Sequence, residues 1–222
     1  MEEIILLVLI ALSLFITYAL YKILDKQGLY YSLIMLDLLA YILTFKITTV
    51  LKMNINIGIV PLISSFTCLY LILIKYGNKN IKNIFKITFL SNVVFGLLLT
   101  TTNYFFPSLT DTISKSIEET FITNYKLLIL FPIVVFSGQY VINKIYGYVT
   151  DVQNNIFLAT MLSYIISAII YIIFYYLIGY INILTIRDSL YLGVTTYITG
   201  IIVTIINIAF IYSLNRKKAK KW

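Results

Sequence analysis

Long apolar segments separated by short polar turns dominate this sequence. The clearest pair lies within residues 58–92, where two apolar runs flank a basic turn that contains Lys75, Lys79, Lys82 and Lys86. About 20 mostly apolar residues cross a bilayer as one helix, and lysines collect in cytoplasmic turns. The pattern predicts a transmembrane helical hairpin whose turn faces the cytoplasm.

The same pattern recurs along the chain and predicts an all-α, polytopic membrane helix bundle, a single integral membrane domain over residues 1–222. Composition agrees, because 60% of the residues are hydrophobic and 12% are charged, whereas soluble domains carry about 25% charged residues. We expect about seven transmembrane helices and a basic tail at 215–222. The expected spans are 4–21, 29–50, 55–74, 84–105, 127–149, 157–183 and 190–214.

The basic residues predict the orientation. The acidic start at Glu2 and Glu3, without a small-residue cleavage site, favours an uncleaved first helix over a signal peptide. With the N-terminus outside and the C-terminus inside, most basic residues face the cytoplasm, as the positive-inside rule requires. We expect a multi-pass protein of the cytoplasmic (plasma) membrane, and the net charge of +8 then needs no nucleic acid partner. The inward set is Lys22, Lys26, Lys75, Lys79, Lys82, Lys86, Lys144, Arg216, Lys217, Lys218, Lys220 and Lys221, and the outward set is Lys46, Lys52, Lys115, Lys126 and Arg187.

The residue inventory argues against several kinds of chemistry. Histidine is absent and Cys68 is the single cysteine. An intramolecular disulfide, a zinc site of the usual ligands and a histidine-based catalytic triad are therefore not expected. We expect no enzyme activity, no metal site and no cofactor.

Polar and small residues recur every fourth position in three spans. Small residues at this spacing allow close helix packing, and polar groups at membrane depth often line a cavity. Both interpretations stay open, with Asn92 and Asn207 as the candidates for a substrate cavity. The stripes are Thr88, Asn92, Gly96 and Thr100; Ala159, Ser163 and Ser167; and Thr196, Gly200 and Thr204, which Asn207 follows three residues later.

Two further features fall inside spans. Pro132 is expected to bend or break the fifth span, above an amide pair formed by Gln139 and Asn143, which suits either a ligand site or interhelical hydrogen bonding. Asp37 is the one carboxylate clearly inside a span. It is either the candidate for proton coupling or a residue that caps or pairs with a neighbouring helix. Lys46 is expected to extend towards the outer interface.

A series of residues keeps a nearly constant register with a known family from about Lys26 onwards. In their order and spacing they resemble the queuosine precursor transporter family, the VUT family of vitamin-uptake-like transporters. The residues are Gly28-Leu29-Tyr30, Ala40, Lys46, Gly58, Tyr76-Gly77, Lys79, Lys82, Phe89, Asn92, Glu118, Phe121, Lys126 (an arginine in the family pattern), Gln139, the segment Leu162–Phe174 and the segment Thr196–Tyr212.

The resemblance implies a six-helix transporter core behind an N-terminal helix, and uptake of a 7-deazaguanine-type base or a related flat small heterocycle. Asn92, Gln139 and Asn207 are then expected to hydrogen-bond the base. Ser163 and Ser167 are expected to add close packing and donors, and Lys46 also keeps its family position. The chain departs from the pattern where the family has acids or other polar groups, at Tyr41, Tyr70, Ile74, Ala168, Tyr171, Gly200 and Asn207, and where it has a proline, at Ala209.

Tyr70 and Tyr171 stand where the family has aspartates, and we expect them to stack on the base instead. Two alternatives remain. The chain is a substrate-binding membrane subunit of an ATPase-driven uptake complex, or a non-transporting membrane protein on a degenerate transporter fold. The expected partners are the lipid bilayer and a small-molecule substrate, with a homo-oligomer or an energising subunit left open.

Overall fold

The computed structural model describes residues 2–77, 81–102, 125–181 and 183–219, with only the backbone at 102 and at 216–219. Six helices in these ranges are long and apolar enough to cross a membrane, which confirms the prediction of a helical membrane bundle. Several residues named above lie outside the described residues: Lys79, the polar loop with Lys115, Glu118 and Phe121, and the last three residues of the basic tail.

The helices are α1 (Glu2–Leu43), α2 (Ile59–Tyr76), α3 (Ile81–Thr102), α4 (Tyr125–Gln153), α5 (Ile156–Ile170) and α6 (Ile186–Ala219). A π-helical segment (Tyr171–Ile178) continues α5, and two strands, β1 (Ile47–Val50) and β2 (Met53–Asn56), stand between α1 and α2.

Helix α1 is two helices joined by a sharp turn at Asp25, whose backbone angles are φ 48° and ψ −120°. A straight helix of 42 residues would be about 63 Å long at 1.5 Å per residue. Yet Thr48 Oγ1, just beyond the end of α1, lies 3.5 Å from a carboxylate oxygen of Glu2 at its start. The two halves of α1 therefore run in opposite directions, and the described residues cross the bundle seven times with six helices.

The predicted second and third spans, 29–50 and 55–74, extend into what is a β-hairpin. Helix α1 ends at Leu43, and β1 pairs antiparallel with β2 through a two-residue turn. The β-branched run Ile47–Val50 suits a strand, and hydropathy alone does not separate a short apolar strand from a helix end. A hydrogen bond holds this hairpin against α6, since the backbone N–H of Asn56 donates to Thr196 Oγ1 at 3.0 Å.

The predicted sixth span, 157–183, changes helix type midway. The α-helical pattern ends at Ile170 and the π-helical segment follows to Ile178. Its wider turn brings three tyrosines, Tyr171, Tyr175 and Tyr176, into the interior. Such segments are rare and occur frequently at functional sites.

The bundle has two distinct ends. The hairpin end contains β1, β2 and the start of α1. At the opposite end, Tyr76 Oη donates to Asp25 Oδ1 at 2.7 Å, and Lys75 Nζ lies 3.4 Å from the carbonyl oxygen of Leu214 in α6. The start of α1 and the last turns of α6 therefore lie at opposite ends of the bundle.

Candidate functional site

Asp37 lies at the centre of a polar network in the bundle and is 1% exposed. Ser65 of α2 donates its hydroxyl to Asp37 Oδ1 at 2.5 Å, and Gln139 of α4 donates its amide N–H to Asp37 Oδ2 at 2.7 Å. Thr88 of α3 in turn lies 3.1 Å from Gln139 Oε1. The network therefore joins four helices around one carboxylate.

This carboxylate has no basic partner among the described residues. It is buried in the core and accepts hydrogen bonds from Ser65 and Gln139. Cys68 of α2 and Tyr171 of the π-helical segment lie within electrostatic range of it. An unpaired carboxylate at membrane depth is costly, and such residues mark ion or proton pathways. Asp37 therefore has the surroundings expected of a coupling residue.

Two of the predicted site residues instead join helices to one another. Tyr70 Oη lies 2.9 Å from Ser163 Oγ, which ties α2 to α5. Asn207 donates its side-chain amide to Thr67 Oγ1 at 2.8 Å, which ties α6 to α2. These contacts agree with interhelical hydrogen bonding, although Asn207 Oδ1 is buried without a partner.

Asn92 is 1% exposed, and among the described residues neither polar atom of its side chain has a hydrogen-bond partner. A Cβ atom at Gly96, one turn further along α3, would lie 2.5 Å from Tyr41 Oη. Helix α3 therefore packs near Asn92 against the half of α1 that contains Asp37. A buried unpaired amide costs about 1–3 kcal/mol, so this amide suits a bound ligand or water.

A tyrosine-lined cavity lies towards the hairpin end, between the ends of α1 and α2, the π-helical segment and α6. Its volume available to the centre of a water molecule is about 30 Å³, which corresponds to roughly two waters. Thr44, Asn56 and Thr196 add polar groups to its wall. The other lining residues include Phe66, Phe131, Tyr164, Ser167, Tyr171, Tyr175, Tyr176 and Tyr197.

Of the predicted site residues, Ser167 and Tyr171 line this cavity, and the rest do not. Gln139 is bonded to Asp37, and Tyr70, Ser163 and Asn207 are bonded within the bundle. Sequence analysis missed Asn56 and Tyr176, among others. The signal for Tyr176 was the tyrosine-rich run 171–180, while Asn56 fell within a predicted span.

Tyr171 connects the cavity with the Asp37 network. Its ring lines the cavity and packs edge-on against Phe66, with centroids 6.4 Å apart. Among the described residues its buried hydroxyl has no hydrogen-bond partner, and it lies within electrostatic range of Asp37. A molecule in the cavity would therefore contact a residue that interacts electrostatically with the carboxylate.

A further tyrosine supports this wall from the connection between the π-helical segment and α6. The ring of Tyr180 stacks on Tyr176, with centroids 5.9 Å apart and planes at 5°. Burial raises the pKa of Tyr180 to about 12. Its hydroxyl therefore remains a neutral donor at physiological pH.

The small-residue stripes pack inside the chain, which confirms the packing interpretation for two glycines. A Cβ atom at Gly200 would fall 1.8 Å from Tyr164 Oη, and one at Gly96 would meet Tyr41. Close approach of α6 to α5 and of α3 to α1 therefore requires glycine at these positions.

Pro132 is compensated by another helix. A proline at this position cannot donate a hydrogen bond to the carbonyl oxygen of Leu128, four residues earlier. Tyr41 of α1 donates its hydroxyl to that oxygen, and its ring stacks on Phe131 with centroids 4.5 Å apart. Helix α4 consequently continues through Pro132 from Tyr125 to Gln153.

Lys46 lies outside both the cavity and the Asp37 network. It was predicted within the second span, but it stands in the turn between α1 and β1 with an exposed side chain. Its backbone carbonyl accepts from the N–H of Ile57 at 3.1 Å, which helps to close the hairpin.

The arrangement offers a neutral aromatic cavity beside a buried carboxylate. Within the described ranges, no group of three or more acidic, histidine or cysteine side chains could hold a metal ion. Comparison of the chain with protein-family models, with curated proteins and with solved structures finds no match.

Proposed function

We propose that this chain is a membrane transporter of the queuosine precursor type, which takes up a 7-deazaguanine-type base or a related flat heterocycle. The observation that carries the proposal is the position of Tyr171, which lines the aromatic cavity and lies within electrostatic range of the buried carboxylate of Asp37. A ligand in the cavity would therefore contact a side chain that interacts with the proposed coupling residue.

The chemistry of the cavity fits a flat, uncharged heterocycle. Aromatic rings at its wall, such as Phe66, Tyr171 and Tyr176, can stack on a planar base. The side chains of Ser167 and Asn56 can donate to or accept from its polar edge. In this proposal Tyr171 keeps its predicted stacking role, whereas hydrogen bonding moves from Gln139 to residues of the cavity wall.

Transport would require movement of the helices around the cavity. The cavity holds roughly two waters, which is less than the volume of a fused-ring base. The π-helical segment forms one wall and the hairpin closes the adjacent end. We propose that this conformation is an occluded state and that these two elements separate when substrate enters.

The proposed location is the cytoplasmic membrane, with the hairpin end outside. Lys26, Lys75, Lys82 and Lys144 belong to the opposite end, and α6 continues there into the basic residues after 215. Positive charge near span ends favours the cytoplasmic side.

The structure favours neither alternative function. The small-residue faces that suggested docking of an energising subunit are those that contain Gly96, Ser163 and Gly200, and they pack within the bundle. A non-transporting protein remains a distinct outcome of the following test.

The test uses cells that cannot synthesise the queuosine precursor and express this chain as their importer. With precursor base supplied at low concentration, we expect queuosine to appear in their tRNA. Tyr171→Ala should reduce the modified fraction at least tenfold, because it removes the ring between the cavity and Asp37.

Tyr140→Ala is the matched control, since Tyr140 is 50% exposed on the outer surface of α4. It should leave the modified fraction unchanged at equal expression. Unmodified tRNA with the protein present in the membrane would contradict the proposal and would favour the non-transporting alternative or another substrate.

A further inference from the structure

Each carboxylate oxygen of Asp37 accepts a hydrogen bond from a neighbouring helix. The hydroxyl of Ser65 lies 2.5 Å from Oδ1 and the amide nitrogen of Gln139 lies 2.7 Å from Oδ2. Both groups direct hydrogen atoms at the carboxylate, where a cation would need open access to oxygen ligands. A proton requires no such space, because it is held on the carboxylate oxygen itself.

The amide of Gln139 lies between Asp37 and Thr88 and can exchange its two ends. One end contacts Asp37 Oδ2 at 2.7 Å and the other contacts Thr88 Oγ1 at 3.1 Å. A glutamine amide has a donor at one end and an acceptor at the other. A half turn of the amide plane therefore swaps donor and acceptor without moving either helix.

Thr88 provides the acceptor and donor that both orientations need. Its hydroxyl lies 2.9 Å from the carbonyl oxygen of Ile84 in its own helix, in addition to its contact with Gln139. When Asp37 is ionised, Thr88 donates to Gln139 Oε1 and Gln139 donates to the carboxylate. When Asp37 is protonated, its O–H donates to Oε1, the amide N–H donates to Thr88, and Thr88 turns its hydrogen to Ile84. The side chains of Asp37, Gln139 and Thr88 therefore keep hydrogen bonds to one another in both states.

We propose that the coupling ion is a proton carried on Oδ2 of Asp37, and that the side-chain amide of Gln139 reverses each time this proton binds or leaves. The reversal transmits the charge state of Asp37 across α4 to Thr88 on α3. One O–H bond forms when the proton binds, the same bond breaks when the proton leaves, and no other bond changes. This inference rests on the proposed transport function, since it names the ion coupled at the same site.

The groups that face Asp37 from neighbouring helices allow this exchange. Cys68 from α2 and Tyr171 from the π-helical segment are the titratable groups in electrostatic range, and α3 and α4 contribute the uncharged Thr88 and Gln139. A proton on Oδ1 would instead turn Ser65 towards the carbonyl of Leu62, 2.8 Å away and in the same helix. Protonation of Oδ1 would then change hydrogen bonds only within α2, whereas protonation of Oδ2 changes hydrogen bonds that connect α1, α4 and α3.

The test follows glutamine side-chain amides by ¹⁵N nuclear magnetic resonance of the full chain in lipid nanodiscs across a pH series. The chain has three glutamines, Gln27, Gln139 and Gln153, and Gln139→Met identifies the Gln139 signal by its loss. We expect the Gln139 amide signals to shift in one titration step, while those of the exposed Gln27 and Gln153 stay fixed.

Asp37→Asn should abolish this shift and hold the Gln139 signals at their low-pH positions, because an asparagine amide can donate to Oε1 as the protonated acid does. Asp25→Asn, which changes the exposed carboxylate at the turn of α1, should leave the titration intact. Thermal unfolding of both variants confirms that they are folded.

Three outcomes would overturn the inference. The first is a Gln139 signal that moves with sodium concentration at constant pH, which would indicate a cation site. The second is a Gln139 signal that does not move with pH while the infrared carboxyl band of Asp37 titrates, which would place the proton beside Ser65. The third is a titration that persists in Asp37→Asn. A normal titration in a chain that imports no precursor would support the reversal of Gln139 and contradict the proposed uptake of the precursor alone.

Discussion

Tyr41 shows how one hydroxyl compensates for a proline in a neighbouring helix. Pro132 leaves the carbonyl oxygen of Leu128 without its helical donor, and Tyr41 supplies the missing hydrogen from α1. Sequence analysis noted Pro132 and Tyr41 separately, but it gave no reason to pair residues 91 positions apart.

We expect Tyr41→Phe to destabilise the bundle by about 1–3 kcal/mol, because a buried carbonyl oxygen loses its partner while the stacked ring is kept. Thermal or denaturant unfolding in detergent measures the change. Tyr140→Phe is the matched control and should be neutral, since its side chain is half exposed on the surface. Equal stability of the two variants would show that the Tyr41 hydroxyl contributes nothing.

Polar residues inside the spans were predicted to face the interior, and the buried positions of Asp37, Asn92, Gln139 and Asn207 agree with this expectation. Their partners were not predictable, because Ser65 and Thr88 are ordinary small polar residues within apolar runs. A side chain on one helix selects its partner by the rotation and depth of another helix, and sequence spacing carries neither quantity between helices.

At the scale of elements, the turn at Asp25 decides that α1 is a pair of helices. Gly28 lies where the second half begins, and a Cβ atom there would fall 1.9 Å from the backbone carbonyl oxygen of Leu20. The close approach of the two halves therefore requires the absence of a side chain.

Gly28→Ala should consequently destabilise the protein by about 1–3 kcal/mol, the usual cost of overpacking, measured by unfolding in detergent. Gly147→Ala is the control, because a Cβ atom at Gly147 in α4 meets nothing within 4 Å. It should be neutral or slightly stabilising, since alanine is the better helix former. A neutral Gly28→Ala would contradict the close approach of the two halves.

Element boundaries were the weakest part of the sequence prediction. The existence of the segments followed from hydropathy, but β1, β2 and the π-helical segment did not. The two strands are short and join the apolar runs of α1 and α2, and the π-helical segment is as apolar as the α-helix that it continues. Ile47–Val50 shows the difficulty, since its residues suit a strand and also extend an apolar run.

For the whole molecule, the orientation of the bundle can be tested with single cysteines. The native Cys68 is buried, so it should not react with a membrane-impermeant maleimide. We expect Lys52→Cys in the hairpin to be labelled in intact cells, and Lys82→Cys at the start of α3 only after permeabilisation. The reverse pattern would place the hairpin end in the cytoplasm.

The sequence by itself determined that this chain is a helical membrane bundle and which segments cross it. Segment hydropathy is enough for this, because each backbone in a bilayer must satisfy its own hydrogen bonds as a helix. The tertiary structure alone decided that Tyr171, Asp37, Gln139 and Thr88 belong together and that a tyrosine-lined cavity lies beside them. The physical reason is that hydropathy is a property of each segment by itself, whereas hydrogen-bond partners depend on how separate helices rotate and pack against one another.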